Sequence, residues 1–267
     1  MTTEVRIPQV VAHRGASDDL AEHTLAAYVK AIDDGADGLE CDVRLTADGH
    51  LVCVHDRKVN RTSNGRGVVS TLELADLYEL DFRSWKQGWD DFEAPEMDSR
   101  DHRSVLTLER LLALVASYDR RIEVAIEAKH PTRYAGLVER KLVETLNEFG
   151  WAHPRLGEDS PVRVMSFSSL SLRRMRSMAP SVPTVLLMER VPLRLRDGSL
   201  PQGVRIAGPA IEIIRAHPRY VRRIHERGHE VHVWTVDRPE DMELCLDLGV
   251  DAIITNRPAR LVERLTA

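Results

Sequence analysis

Short apolar runs rich in β-branched residues alternate with amphipathic stretches along most of this 267-residue chain. The runs have the length of buried strands, and the stretches between most of them repeat apolar residues every three or four positions, as helices do. Strands that alternate with helices predict a parallel sheet covered by helices. The predicted strands cover residues 10–13, 38–44, 51–55, 122–129, 162–167, 183–188, 210–214, 230–236 and 252–255.

The first predicted helix shows clear start and stop signals. Leu25, Val29 and Ile32 recur at helical spacing. Thr24 precedes them as a plausible N-cap, and Gly35 follows the last turn. Further helices are predicted over residues 108–118, 134–149, 170–178, 218–227 and 239–248.

The nine predicted strands are one more than a closed (β/α)8 barrel contains. Residues 44–51, RLTADGHL, are too few for a crossover helix, but the pair Asp48-Gly49 suits a tight turn. We therefore expect residues 51–55 to run antiparallel to residues 38–44. The predicted fold class is α/β, a (β/α)8 TIM barrel with a β-hairpin excursion after the second strand.

Residues 57–107 break the pattern with a polar, loop-rich stretch that contains Phe82, Trp85 and Trp89. A loop of this length is usually functional or has structure of its own. We expect a single domain over residues 1–267, with 57–107 as a small insertion subdomain over the barrel mouth. The alternative is a mobile decoration without a role.

Composition and charge exclude several classes of protein. The chain has 37 Lys and Arg against 42 Asp and Glu, a net charge of −5, which argues against a nucleic-acid binder. No run approaches the ~18 apolar residues that span a membrane, so stable membrane insertion is not expected. The first residues lack the apolar core of a signal peptide, and the three cysteines fit a reducing compartment. We expect a cytoplasmic protein.

Carboxylates and cations stand at the ends of the early strands, where a TIM barrel places its chemistry. Residues two apart on a strand share a face, so Glu40 and Asp42 point the same way, as do Glu127 and Lys129. Oxygen ligands suit Mg2+ or Ca2+, so three converging carboxylates predict such an ion. The alternative is that these acids form ion pairs with Arg14 and Lys129.

Two histidines, His13 and His55, each close an apolar run and precede a charged residue. Two imidazoles can act as general base and general acid near neutral pH. Arg14 and Lys129 can hold a phosphoryl group, and a divalent ion can neutralise its developing charge. Together these residues describe a site for a phosphodiester.

Three blocks of sequence resemble the glycerophosphodiester phosphodiesterase family. They are AHRG at 12–15, GLECDVRLTADGHLVCVHD at 38–56 and IEAK at 126–129. The later segments VMSFSSLSL, VHVWTVD and GVDAIITNRP match as well, so the resemblance covers residues 10–258 in order.

This resemblance implies a TIM barrel and metal-dependent hydrolysis of glycerophosphodiesters, such as glycerophosphocholine or glycerophosphoethanolamine, to glycerol 3-phosphate and an alcohol. In wider relatives the glycerol 2-hydroxyl attacks phosphorus, and water then opens the cyclic phosphate. The implied roles are acid–base catalysis for His13 and His55, metal binding for Glu40, Asp42 and Glu127, and phosphate contact for Arg14 and Lys129.

The chain departs from the family after the first motif, where the usual Pro-Glu-Asn-Thr is replaced by Ala-Glu-His-Thr at 21–24. Glu22 is retained, which suggests a place beside the metal or next to its ligands. His23 has no role that the sequence assigns. The departures affect the expected head group more than the reaction.

Aromatic residues offer candidates for the pocket walls. Phe167 and Trp234 lie near the ends of later strands and are predicted to line the glycerol pocket, with core packing as the alternative. Trp85 and Trp89 are predicted to cap the leaving alcohol, where a choline group would suit a cation–π contact. Their alternative role is to pack inside the insertion.

Two other functions remain open. A lysophospholipase D-like phosphodiesterase or lyase uses the same site residues in relatives, and it needs an apolar groove for an acyl chain. A catalytically silent phosphodiester-binding barrel is the non-enzymatic alternative, and the presence of both histidines and all three acids counts against it. The preferred head group, the metal and the oligomeric state do not follow from these patterns.

Overall fold

The structure of this chain is a computed structural model that describes residues 7–86, 103–130 and 136–266. Within these ranges the strands are β1 (Gln9–His13), β2 (Gly38–Leu45), β3 (Leu51–Cys53), β4 (Glu123–Ala128), β5 (Val162–Ser166), β6 (Thr184–Met188), β7 (Ile206–Pro209), β8 (Glu230–Val233) and β9 (Ala252–Thr255). The helices are α1 (Leu25–Asp33), α2 (Leu74–Tyr78), α3 (Leu108–Ala116), α4 (Leu137–Glu148), α5 (Ser169–Met178), α6 (Ile211–Ala216), α7 (Arg219–Glu226), α8 (Pro239–Asp247) and α9 (Pro258–Thr266).

Eight of these strands form a closed parallel barrel. Strand β1 pairs in parallel with both β2 and β9, and the remaining pairs follow in the order β9, β8, β7, β6, β5, β4 and β2. Strand β3 pairs antiparallel with β2, with Val43 opposite Cys53. The predicted TIM barrel and its hairpin excursion are both confirmed.

Alternating side chains of the strands divide the core into two parts. The residues that face outward pack against the helices in a large cluster that includes Leu39, Cys41 and Val43 of β2. The residues that face the barrel axis form a smaller buried cluster, which comprises Val11, Ala125, Met165, Val185, Leu187, Ile206, Ala252 and Ile254. This packed interior leaves room for chemistry only at the ends of the strands.

The start of α1 follows the sequence prediction closely. The Thr24 side chain accepts a hydrogen bond from the backbone N–H of Ala27, as an N-cap does. Gly15 lies against this turn with φ +86°, and a Cβ atom there would lie 2.7 Å from the Ala27 carbonyl carbon. Only glycine therefore allows the chain to pass so close to α1 after the first strand.

One predicted strand is wrong. Residues 210–214 were expected to be extended, but they belong mainly to α6, and the strand at this place is β7 (Ile206–Pro209). The run AIEII presents isoleucines on one helical face as readily as on a strand, so its periodicity did not decide between them. Gly208 and Pro209 end the barrel strand that takes this place.

The described part of the 57–107 segment has a small apolar core of its own. Val59, Val69, Leu77 and Phe82 pack there against residues of the β3 strand region. Trp89, which the sequence analysis singled out, lies outside the described residues. The three cysteines are free and buried, and none of the described helices is long and apolar enough to span a membrane.

Candidate active site

The backbone that follows strand β1, at the carboxyl end of the barrel, is strained at two residues. Arg14 and His23 both have φ of 60°, which is uncommon for residues other than glycine. The backbone N–H of Arg14 donates to the Glu40 carbonyl, and that of His23 donates to the Arg14 carbonyl over 3.0 Å. These bonds hold two left-handed residues next to each other, which costs about 1–3 kcal/mol for each residue.

Glu40, Asp42 and Glu127 converge at this end of the barrel, as the sequence predicts. One carboxylate oxygen from each lies within 4.8 Å of the others, and all three residues are buried. Parallel register explains the convergence, because Asp42 of β2 lies directly opposite Glu127 of β4. The group is therefore a preformed cluster of oxygen ligands.

Two cations contact this cluster. Lys129 Nζ lies 3.2 Å from Asp42 Oδ1 and 2.9 Å from Glu127 Oε1. Arg14 Nε lies 3.1 Å from Asp42 Oδ2. The acids thus converge and form ion pairs at the same time, so the two interpretations drawn from the sequence do not exclude each other.

The pKa values of the acids indicate that the nearby cations do not balance the negative charge of the three carboxylates. Burial, followed by the charge of Asp42, raises the pKa of Glu40 and raises that of Glu127 to about 7. Burial alone would raise the pKa of Asp42 too, but the hydrogen bond from His23 and the charge of Lys129 hold it below its ordinary value. Three carboxylates share two close cations, and a divalent ion fits this imbalance and this donor set.

The hairpin brings His55 back to the same rim. Because β3 runs antiparallel to β2, the backbone N–H of Val54 donates to the Asp42 carbonyl over 3.0 Å, and His55 follows at that level. The side chain of Arg44 fixes this return by donating to the His55 carbonyl over 2.6 Å and 2.9 Å. Burial lowers the pKa of His55, and the nearby charges of Asp42 and Arg14 act on it in opposite directions.

The hydrogen-bond partner of His55 determines which ring nitrogen carries a proton. His55 Nδ1 lies 2.8 Å from Asp56 Oδ1. An ionised carboxylate only accepts, so Nδ1 donates and Nε2 remains for the reaction. Burial alone would raise the pKa of Asp56, but the hydrogen bonds from Arg61 and His55 lower it to about 2.

His13 is held by a chain of polar residues from the far end of the sequence. Its Nδ1 lies 2.7 Å from Asn256 Oδ1, and Asn256 Nδ2 donates to Asp237 Oδ2 over 2.6 Å. Because a carboxylate only accepts, the Asn256 amide has its nitrogen on Asp237 and its oxygen on His13. His13 therefore donates through Nδ1, and its Nε2 carries the lone pair.

The Nε2 atom of His13 faces the carboxylate cluster. It lies 3.9 Å from Glu40 Oε2. Burial, reinforced by the charge of Arg14, lowers the pKa of His13 from 6.5 to about 3. The ring is consequently neutral at physiological pH and can accept a proton.

His23 connects the cluster to the first helix. Its Nε2 lies 3.0 Å from Asp42 Oδ2, and its Nδ1 lies 2.8 Å from the Tyr28 hydroxyl. Tyr28 in turn donates to the Glu40 carbonyl over 3.1 Å. The residue that departs from the family motif thus orients one acid of the cluster.

The remaining predicted residues lie around this centre. The rings of Phe167 and Trp234 meet edge to face, with their centroids 5.5 Å apart. Both line a small cavity that His13, Glu40 and Glu127 also line. Glu22 stands outside the carboxylate cluster, where its Oε1 accepts from Arg14 Nη1 over 3.0 Å.

Trp85 lies in the insertion and is 36% exposed. Its ring faces the guanidinium of Arg61 at 5.8 Å.

Sequence reasoning missed four polar residues that contact the predicted ones, His23, Asp56, Arg61 and Asn256, and it missed Asp237, which orients Asn256. Asp237 and Asn256 come shortly after β8 and β9, so the rule that strand ends carry the chemistry would have found them. No sequence signal marks Arg61, whose partners lie on two other segments.

Comparison with known proteins identifies the family of this chain. The family model described as the glycerophosphoryl diester phosphodiesterase family matches residues 13–260. The chain belongs to this family. It is an enzyme of the glycerophosphodiester phosphodiesterase class, and its carboxylate cluster can hold a metal ion.

Among its relatives, a Mycobacterium tuberculosis protein named probable glycerophosphodiester phosphodiesterase 1 is 45% identical, over 95% of this chain and 90% of that protein. A glycerophosphodiester phosphodiesterase of Bacillus subtilis is 34% identical, over 93% of this chain and 83% of that protein.

Several solved structures share the fold of this chain. A phosphodiesterase from Oleispira antarctica, solved in complex with the product sn-glycerol-3-phosphate, superposes with a TM-score of 0.78 at 22% identity and covers 98% of both chains. A glycerophosphodiester phosphodiesterase from Agrobacterium tumefaciens superposes with a TM-score of 0.73 at 24% identity, over 96% of this chain and 100% of that one. These superpositions support the TIM barrel fold.

Proposed function

We propose that this enzyme hydrolyses glycerophosphodiesters, such as glycerophosphocholine or glycerophosphoethanolamine, to glycerol 3-phosphate and an alcohol, with Mg2+ or Ca2+ as its metal. The observation that carries the proposal is the buried cluster of three carboxylates and two cations that His13 Nε2 faces. His55 lies near enough for the charges of Asp42, Arg14 and Lys129 to act on its pKa. The family and the names of its close relatives support the same reaction.

His13 is the proposed general base. Its Nδ1 proton is engaged by Asn256, which leaves the Nε2 lone pair directed toward the cluster. The glycerol 2-hydroxyl gives its proton to this nitrogen while its oxygen attacks phosphorus. The low pKa of His13, about 3, keeps the ring unprotonated before the step.

His55 is the proposed general acid. Burial lowers the pKa of His55, but the Asp56 carboxylate that accepts from Nδ1 acts in the opposite direction and favours the charged form of the ring. The neutral amide behind His13 does so less. The reactive form is the fraction of the enzyme in which His55 carries both protons. His55 Nε2–H gives its proton to the oxygen of the departing alcohol as the bond from phosphorus to that oxygen breaks. A cyclic phosphate forms.

The second step reverses the two roles. His55, now neutral, takes a proton from water as the water oxygen attacks phosphorus. His13 returns its proton to the 2-oxygen of glycerol as the ring of the cyclic phosphate opens. Each histidine regains its starting state, so the cycle balances and releases glycerol 3-phosphate.

Arg14 and Lys129 are the proposed phosphate-binding residues, since both lie beside the cluster and carry N–H donors. Glu40, Asp42 and Glu127 would hold the metal, which when bound would neutralise charge that develops on the phosphoryl oxygens. Phe167 and Trp234 are proposed to border the glycerol group, because they line the small cavity beside His13.

We further propose a single domain over residues 1–267 with the 57–107 segment beside the barrel mouth, and a cytoplasmic location. Contacts of the β3 strand with the small core of the insertion support the single domain. Three free buried cysteines support a reducing compartment.

An assay of product release tests the proposed substrate class. Purified enzyme is incubated with glycerophosphocholine and Mg2+, and glycerol 3-phosphate is measured with and without EDTA. Release that EDTA abolishes agrees with the proposal, whereas no release with any glycerophosphodiester indicates a silent barrel. Lysophosphatidylcholine in a parallel sample tests the lysophospholipase D alternative, which predicts faster turnover of that lipid.

A further inference from the structure

Arg61 uses three of its nitrogens to bind two acids at the edge of the active site. Its Nη1 and Nη2 donate to the two carboxylate oxygens of Glu22, each over 2.7 Å. Its Nε donates to Asp56 Oδ2, also over 2.7 Å. Arg61 ends a short 3-10 turn at the beginning of the insertion, so this bridge ties the insertion to the barrel.

Each of these two acids also contacts a residue of the proposed mechanism. Glu22 Oε1 also accepts from Arg14 Nη1 over 3.0 Å, and Asp56 Oδ1 accepts from His55 Nδ1 over 2.8 Å. The carboxylate of Glu22 thus links Arg61 to Arg14, a proposed phosphate-binding residue. The carboxylate of Asp56 links it to His55, the proposed acid.

The insertion supports the outer face of this guanidinium. The Trp85 ring lies 5.8 Å from the Arg61 guanidinium carbon. Trp85 is fixed by a hydrogen bond from its Nε1 to the carbonyl of Phe82, which belongs to the small core of the insertion. The position of Arg61 therefore depends on the folded insertion.

Energetics favour a geometric role for Arg61 over a stabilising one. Its side chain is 43% exposed, and ion pairs in such positions contribute little to stability, about 0–1 kcal/mol. A planar guanidinium that binds one carboxylate through two nitrogens does, however, fix direction as well as distance. A lysine would supply the charge without this fixed orientation.

We propose that Arg61 is a positioning residue that sets the placement of His55 relative to Arg14, and that the insertion acts on the reaction through it. The inference rests on the proposed hydrolysis of glycerophosphodiesters for its kinetic readout. It assigns to the insertion a role that neither motif nor composition indicates.

Kinetics of Arg61→Ala, Arg61→Lys and the control Arg66→Ala test this proposal. Arg66 is an exposed arginine five positions further along the same insertion. We expect kcat of Arg61→Ala to fall about tenfold to a hundredfold, with Arg61→Lys recovering little of it, because small misplacements of catalytic groups are costly. Arg66→Ala should retain the wild-type kcat.

Chemical rescue separates positioning from folding. Guanidinium chloride at low millimolar concentration should restore part of the kcat of Arg61→Ala, because the free cation can occupy the place between Glu22 and Asp56. A purely structural loss would not respond. Unchanged kcat in Arg61→Ala, or a loss that guanidinium does not rescue in a folded variant, would overturn the proposal.

A spectroscopic readout keeps this test separate from the proposed function. In wild type the His55 Nδ1–H group donates a hydrogen bond to Asp56, and it should give a distinct imidazole 15N–1H signal. Arg61→Ala should shift or broaden this signal. If wild type hydrolyses no glycerophosphodiester, the proposed function fails, and this signal still decides the contact. An unchanged signal in Arg61→Ala would contradict the positioning role.

Discussion

Asn256 Oδ1 lies 2.7 Å from His13 Nδ1, although 243 positions separate the two residues in the sequence. Closure of the barrel explains the contact, because β1 pairs with β9 and Asn256 follows β9 directly. The amide is itself oriented by Asp237 and also accepts from the Ser17 hydroxyl over 2.7 Å. The last strand of the barrel thus fixes the ring of a residue on the first.

This relationship predicts a catalytic role for Asn256. In Asn256→Leu a side chain of similar volume replaces the amide, so His13 loses the acceptor that selects its tautomer. We expect kcat for glycerol 3-phosphate release to fall about a hundredfold with a small change in KM. Steady-state kinetics at neutral pH provides the measurement.

Ser17→Ala is the matched control for that prediction. It removes a hydroxyl that lies 2.7 Å from both Asn256 Oδ1 and the His13 backbone carbonyl, and it leaves the bond from His13 Nδ1 to Asn256 in place. Its kcat should stay within a few-fold of wild type, in keeping with the loss of one ordinary hydrogen bond of about 1 kcal/mol. Equal losses in the two variants would show that the effect is not specific to His13.

Glu127→Gln should weaken metal binding. The substitution removes one of three clustered carboxylates, so we expect at least a tenfold increase in the dissociation constant for Mg2+ or Ca2+, about 1.4 kcal/mol. Calorimetric titration of the metal-free protein measures this directly. Glu123→Gln is the control, because Glu123 lies on the same strand but pairs with Arg163, away from the cluster. Unaltered affinity in Glu127→Gln would remove this residue from the ligand set.

Acid should destabilise the enzyme partly through Glu22. Burial alone would raise the pKa of Glu22, but its hydrogen bonds with Arg61 lower it from 4.5 to about 2. A lowered folded-state pKa contributes stability above pH 4.5, and this stability is lost as the pH falls toward 2. Because Arg61 is partly exposed, solvent screens this ion pair, and we expect it to contribute about 1 kcal/mol. Urea unfolding at several pH values should therefore show an acid loss of stability that is shallower by about that amount in Glu22→Gln than in wild type.

A matched substitution checks that assignment. Glu212 is largely exposed, and its Oε1 lies 3.7 Å from Arg215 Nη1. Glu212→Gln should reproduce the acid profile of wild type. If Glu22→Gln also follows the wild-type profile, the ion pairs of Glu22 contribute nothing measurable to acid stability.

The sequence predicted those parts of the fold that follow from periodicity over long segments. The hairpin at Asp48-Gly49 could be predicted because too few residues separate β2 from β3 for a helix. The helix at 210–214 could not be predicted, because a short apolar run is compatible with a strand as well as with a helix.

Prediction of the site reached the residues at the ends of strands but not the groups that orient them. Strand register places Glu40, Asp42 and Glu127 together, and alternation along each strand reveals that register. His23 and Arg61 act through side-chain bonds that depend on a left-handed backbone at His23 and on a fold of the insertion. Neither condition leaves a periodic signal in the sequence.

The decisive experiment measures the release of glycerol 3-phosphate from glycerophosphocholine by wild type, His13→Ala and His55→Ala. With Mg2+ present, we expect turnover by wild type and a loss of about a hundredfold or more in each variant, with circular dichroism unchanged. A folded His13→Ala or His55→Ala variant that retains near-wild-type kcat would contradict the proposed roles of the two histidines.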